Sequence, residues 1–189
     1  MGMPQQATRW TAAMVRALPD DGNRYEVVDG ELLVTPAPVE LHQRAVVALV
    51  RLLADYADAQ RFGEALASPA DLELDPEGLV QPDVFVQGLV GGHLSRGWNT
   101  GAPLLLVVEV VSPSTARADR TTKRCRYQRA GIPEYWVVDF DARVIERWRP
   151  ADERPEVLGE AITWQPHGAA QALTMDLAGL FARVHGEIL

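Results

Sequence analysis

Between residues 40 and 60, apolar side chains recur every three or four positions: Leu41, Ala45, Ala48, Leu49, Leu52, Leu53, Tyr56. That period predicts an amphipathic helix. Glu40 stands in its first turn, where an acid suits the helix dipole. Elsewhere the apolar runs are short. Residues 25–28 and 31–34 flank Asp29-Gly30, a pair that accepts the positive φ of a type I′ turn, so they predict a hairpin ended by Pro36 and Pro38. Residues 65–74 predict one or two short strands, and residues 80–87 another. Glycines at 88, 91, 92, 97 and 101 predict a loop over residues 88–103. Residues 104–111 are apolar on both faces, as a central strand covered on both sides should be. Ser112-Pro113-Ser114-Thr115 breaks that strand, and a helix follows, ending near Ala130-Gly131 with Pro133 just beyond. Strands at 134–139, 143–149 and 161–164, a short helix at 8–18 stopped by Pro19, and a last helix near 177–184 complete the reading. This order predicts an α/β (α+β) fold, a mixed sheet with helices packed on it. A chain of 189 residues can bury its own core, so residues 1–189 are expected to form a single domain.

Composition narrows the class. No apolar run approaches the ~18 residues that a membrane span needs. Nothing before Arg9 has the apolar core of a signal peptide. Cys125, alone in the sequence, excludes an internal disulfide and a thiolate metal cluster. A cytoplasmic enzyme or binding domain without membrane contact is expected. The net charge of −8 argues against coating nucleic acid non-specifically. Yet residues 115–130 carry Arg117, Arg120, Lys123, Arg124, Arg126 and Arg129 against a single acid, Asp119. Such a basic island suits a local phosphate contact, or equally a solvated helix face.

Lys123 is the sole lysine of the chain. It follows a strand that carries Glu109 near its end, and Asp83 opens the apolar run before that. A carboxylate buried on an aliphatic strand needs a partner. Two carboxylates brought together repel, and one stays protonated unless a divalent cation intervenes. Mg²⁺ is suited to such a pair, since it binds through few carboxylates, keeps waters and accepts phosphate oxygens. An ammonium supplies a compact charge beside a phosphate. Each residue also has a plain structural reading: Asp83 as a turn cap, Glu109 as the partner of an arginine on the next helix, Lys123 as a surface residue. Their joint placement on strand, strand and following helix favours a metal-dependent phosphodiesterase site.

Pro82-Asp83, the run from Glu109 to Thr115, Asp119, Lys123, Tyr127 and the run from Ala130 to Asp139 together resemble a large bacterial family of restriction-endonuclease-like proteins in the PD-(D/E)XK nuclease superfamily. The likeness extends upstream to residues 25–31 and to His42-Gln43. It implies a restriction-endonuclease-like core, a mixed and mainly four-stranded sheet flanked by helices. It also implies an endonuclease that cuts DNA with Mg²⁺ or Mn²⁺. By position, Asp83 and Glu109 would hold the metal. The superfamily's usual lysine lies two residues after the glutamate, where this chain has Val111, and Lys123 would take its place. Glu40 and His42 match the edge of the site as accessory residues. Arg117, Arg120 and Arg124 are candidate DNA-phosphate contacts, with Arg120, Lys123 and Tyr127 on one helical stripe. Val111 and the net acidity leave open a second reading, a degenerate nuclease-fold module that binds nucleic acid or a partner. Cutting both strands is simplest with a two-fold homodimer.

Overall fold

The computed structural model describes residues 9–97 and 101–187. The chain forms α1 (Ala12–Arg16), β1 (Arg24–Val28), β2 (Glu31–Thr35), α2 (Glu40–Gln60), β3 (Gly63–Ala67), β4 (Leu72–Asp75), β5 (Gly78–Val80), β6 (Val84–Gly88) and β7 (Leu104–Val110). Then come α3 (Ala116–Ala118), a π turn (Asp119–Lys123), α4 (Arg124–Arg129), β8 (Tyr135–Asp139), β9 (Val144–Trp148), β10 (Glu156–Leu158), β11 (Ala161–Trp164), β12 (Leu173–Asp176) and α5 (Leu177–Val184).

The central sheet has six strands in the order β10-β9-β8-β7-β6-β3, with β7 and β8 parallel and every other pair antiparallel. It is the expected mixed sheet, wider than the four strands anticipated because β3 and β10 extend its edges. A second, antiparallel sheet runs β2-β1-β5-β4. Strands β11 and β12 pair separately. The helix expected at 8–18 is shorter, with Thr11 as its cap: the Thr11 hydroxyl accepts from the Met14 amide at 3.3 Å. Thr8 of that expectation, and residues 98–100 of the expected loop, lie outside the described residues.

Strand β7 is apolar on both faces because both are covered. Leu106, Val108 and Val110 pack in one cluster with Leu49 and Leu53 of α2 and Leu177 and Phe181 of α5. Val107 faces the other way, with Phe85, Tyr127, Tyr135 and, from the second sheet, Val28 and Val80. Burying each such aliphatic side chain contributes about 1.5–3 kcal/mol. Trp136 and Trp148 are both in the core.

One difference from the sequence reading positions the site. Residues 80–87 are not one strand. The run breaks over residues 81–83, where the chain leaves β5 in one sheet and enters β6 in the other. Pro82 has no amide to donate to a ladder, which favours a break there. Asp83 therefore sits at the crossing between the sheets. Among the described residues, no helix is long and apolar enough to cross a membrane.

Candidate active site

Val84 of β6 pairs with Val108 of β7, so Asp83 lies opposite Glu109 in the same register. Opposed residues of an antiparallel pair share a face, here the one turned toward the second sheet and α4. The Val110 amide donates to Asp83 Oδ2 at 2.9 Å and ties the two strand ends together. Asp83 and Glu109 are 3% and 1% exposed. The two residues thus lie on the same face of neighbouring strands.

Each acid has its own surroundings. Arg24 Nη1 donates to Asp83 Oδ1 at 2.7 Å, and His42 Nε2 lies 3.1 Å from Oδ2. Burial works to raise the Asp83 pKa, but the His42 hydrogen bond and the Arg24 charge outweigh it and hold the carboxyl well below the usual range. Glu109 Oε1 accepts from Lys123 Nζ and from the Tyr127 hydroxyl, both at 3.0 Å. Burial, reinforced by Asp83, Asp119 and Glu26, pushes Glu109 well above the ordinary carboxylate range against the pull of Lys123. The two acids are thus pushed in opposite directions, Asp83 toward its ionised form and Glu109 toward its protonated one, as expected where neighbouring carboxylates compete.

Lys123 is buried, not on the surface. Its Nζ lies 2.9 Å from Glu26 Oε2, 3.0 Å from Glu109 Oε1 and 3.7 Å from Asp119 Oδ1. Burial would lower its pKa, but Glu109, Glu26 and Asp119 together raise it further above the lysine range. The π turn explains how one helix supplies this lysine with its neighbours. Four residues of α-helix advance about 400°, so residues 119, 123 and 127 would drift roughly 80° apart on a regular helix. The wider turn over Asp119–Lys123 counters that drift and keeps Asp119, Lys123 and Tyr127 on the side facing Glu109.

The expected stripe Arg120–Lys123–Tyr127 is accordingly replaced by Asp119–Lys123–Tyr127. Arg120 turns away and donates to Glu146 at 2.6 Å and Asp139 at 2.8 Å. Arg124 is held by the Arg120 carbonyl and Gln128, with its guanidinium 4.6 Å from the centre of the Trp148 ring. Arg117 is exposed. Glu40 does not reach the site: it pairs with Arg44 at the surface. His42 does reach it, because His42, Ala45, Leu49, Leu53 and Tyr56 form one stripe of α2 whose later members are buried against the sheet.

Glu26 and Arg24 were missed as site residues. Both come from β1 of the second sheet. Glu26 is fully buried, and its Oε1 accepts from the Gln81 amide at 2.8 Å. A glutamate inside the apolar run 25–28 was the available signal, but sequence spacing could not say that the hairpin docks 80 residues away from Glu109.

Four buried acids (Glu26, Asp83, Glu109, Asp119) face two permanent cations, Lys123 and Arg24. With all four acids ionised, the cluster would carry a surplus of two negative charges, the charge of one divalent ion. Among the described residues, no group of three or more His, Cys, Asp or Glu is arranged to hold a metal. Asp83 and Glu109 alone would leave the rest of a cation's shell to water or phosphate oxygens, which Mg²⁺ accepts. A cleft of about 740 Å³ opens beside the cluster, lined by Arg24, His42, Gln81, Asp83, Ser112 and Thr115 among others. Asp83 borders this cleft, while Glu109 and Lys123 lie buried behind it.

The fold is that of a solved structure, a putative nuclease from Anabaena variabilis: TM-score 0.74, with 20% identity over 93% of this chain and 99% of that one. This match establishes the restriction-endonuclease-like architecture expected from the sequence. No curated protein matches the chain. Its sequence matches the Uma2 family over residues 12–179, nearly its whole length, and the chain therefore belongs to that family, described as putative restriction endonucleases.

Proposed function

We propose that the protein is a metal-dependent endonuclease that hydrolyses DNA phosphodiester bonds in the cytoplasm. One observation carries the reading: Asp83, Glu109 and Lys123, from the ends of two strands and the helix after them, meet in one buried cluster beside an open cleft. Asp83 and Glu109 are the residues that would hold Mg²⁺ or Mn²⁺. Bound there, the ion would acidify a water and offset the charge that grows on phosphorus. Asp83 is ready for a cation because its partners keep it ionised. Glu109 is pushed toward its protonated form, so a cation there would have to displace protons. Lys123 remains charged, so it cannot serve as a base. Its role is to fix Glu109 and to keep a positive charge behind the reacting phosphate. Tyr127 aligns the same oxygen from the other side. Two such sites related by a two-fold axis would cut both strands, so a homodimer is expected in sedimentation velocity.

A second reading, a nuclease fold that binds but does not cut, draws on a specific feature: Asp83 and Glu109 are already engaged by Arg24 and Lys123. Incubation of supercoiled, linear and single-stranded DNA with the protein and Mg²⁺ or Mn²⁺ separates the two. The nuclease reading requires cleavage that stops with EDTA and with Asp83→Asn. DNA binding without cleavage in any metal supports the second reading.

A further inference from the structure

Resting on the nuclease reading, we propose that Arg24 is the substrate-phosphate ligand of the cleft, stored on Asp83 until a metal competes for that carboxylate. A phosphodiester placed beside Asp83 needs a cation close by. Most of the basic helix is committed elsewhere: Arg117 is exposed and does not line the cleft, Arg120 is spent on Asp139 and Glu146, and Arg124 on Gln128 and the face of Trp148. Farther along, Arg126 is paired with Asp75, and Arg129 with Asp29. Among the described residues that line the cleft, Arg24 is the permanent cation, and His42 is its only titratable basic neighbour.

The guanidinium is poised rather than saturated. Its recorded hydrogen bond goes from Nη1 to Asp83 Oδ1 at 2.7 Å. Its Nε approaches Glu26 only to 3.9 Å, and it is buried without a hydrogen-bond partner. A buried donor left unpaired carries a cost that an incoming acceptor relieves. A guanidinium presents five donors in a planar fork that matches phosphate oxygens. Asp83 accepts at the same time from His42 and the Val110 amide, so it stays ordered if Arg24 turns toward the cleft. Arg24 and a divalent cation then compete for one carboxylate, and the displaced arginine is left facing the substrate.

The test measures oligonucleotide binding by fluorescence anisotropy over a salt series, with Ca²⁺ in place of Mg²⁺, and Mn²⁺ binding by calorimetry without DNA. For Arg24→Gln, the slope of log K against log salt should fall by about 0.7–0.9, the share of one phosphate contact. Mn²⁺ should bind this variant severalfold more tightly than the wild type. Arg24→Gln combined with Asp83→Asn removes both halves of the ion pair and should show the same loss of slope. If Arg24→Gln does not fold, Arg24→Lys, which keeps a cation on Asp83, must keep the slope but lose DNA affinity severalfold. An unchanged slope and unchanged Mn²⁺ affinity in Arg24→Gln overturn the proposal and leave the nuclease reading standing. Absence of salt-dependent oligonucleotide binding by the wild type overturns both.

Discussion

Replacing Lys123 with methionine removes the single ammonium shared by Glu26, Glu109 and Asp119, at 2.9, 3.0 and 3.7 Å. Methionine has similar length, so little volume is lost and the effect is electrostatic. Stripping one partner from a buried ion pair costs about 3–5 kcal/mol, and here three acids lose the same partner. The cost should also depend on pH in a definite direction. Burial already raises the Glu109 and Asp119 pKa values, and Lys123 is the influence that opposes the rise. Without it, both rise further. A carboxyl whose folded pKa lies above its unfolded value favours the folded state fully below the unfolded value, near pH 4, and loses that contribution as pH climbs through the folded value. The gap between wild type and Lys123→Met should therefore be small near pH 5 and widen toward pH 8. For a chain of this size 1 kcal/mol moves Tm by about 2–4 °C, so the full effect is on the order of 10 °C. Urea unfolding and thermal scans in EDTA from pH 5 to 8 measure it. A loss below about 1 kcal/mol at pH 8, or a loss that does not vary with pH, would refute Lys123 as the counter-ion of the cluster.

Other outcomes follow from the same geometry. Glu109→Gln should stay within about 1 kcal/mol of wild-type stability in EDTA at pH 7, because the amide imitates the protonated acid and Lys123 keeps Glu26 and Asp119; unfolding in EDTA would make Glu109 a structural ion-pair residue. Burial favours the protonated form of Glu109, so metal binding there should displace protons. Calorimetry in two buffers of different ionisation enthalpy should thus show proton release, and affinity should fall about tenfold per pH unit on the acid side; release of no proton between pH 5 and 7 contradicts this. Arg120→Ala should lose about 1–3 kcal/mol through its two charged hydrogen bonds while the salt dependence of DNA binding stays put, whereas a reduced salt slope would return Arg120 to the phosphate contacts.

Local chemistry was legible in the sequence wherever the chain's own neighbours decide the outcome. Asp29 and Gly30 both have positive φ, as the turn chemistry demanded, and β1 and β2 pair across them. The stripe of α2 and the doubly covered strand β7 followed from period and composition alone. What stayed hidden depends on long-range docking. Pro82 marks a break, but nothing local says that β5 and β6 go to different sheets, or that the hairpin joins β5 and carries Arg24 and Glu26 into the cluster. The π turn escaped for a different reason. A regular helix was assumed, which put Arg120 rather than Asp119 in line with Lys123, and one widened turn reversed that choice. Asp83, Glu109 and Lys123 stand out as candidates because a charged residue on or beside an apolar strand is conspicuous, while the acids and arginines that surround them lie in segments that look ordinary.

The location of a bound metal decides the central claim most directly. Crystals of the protein soaked in Mn²⁺, with data collected at the manganese absorption edge, should show one anomalous peak touched by carboxylate oxygens of both Asp83 and Glu109, with Arg24 displaced from Asp83. A peak elsewhere on the protein, or none at a saturating Mn²⁺ concentration, would contradict a metal centre at this cluster.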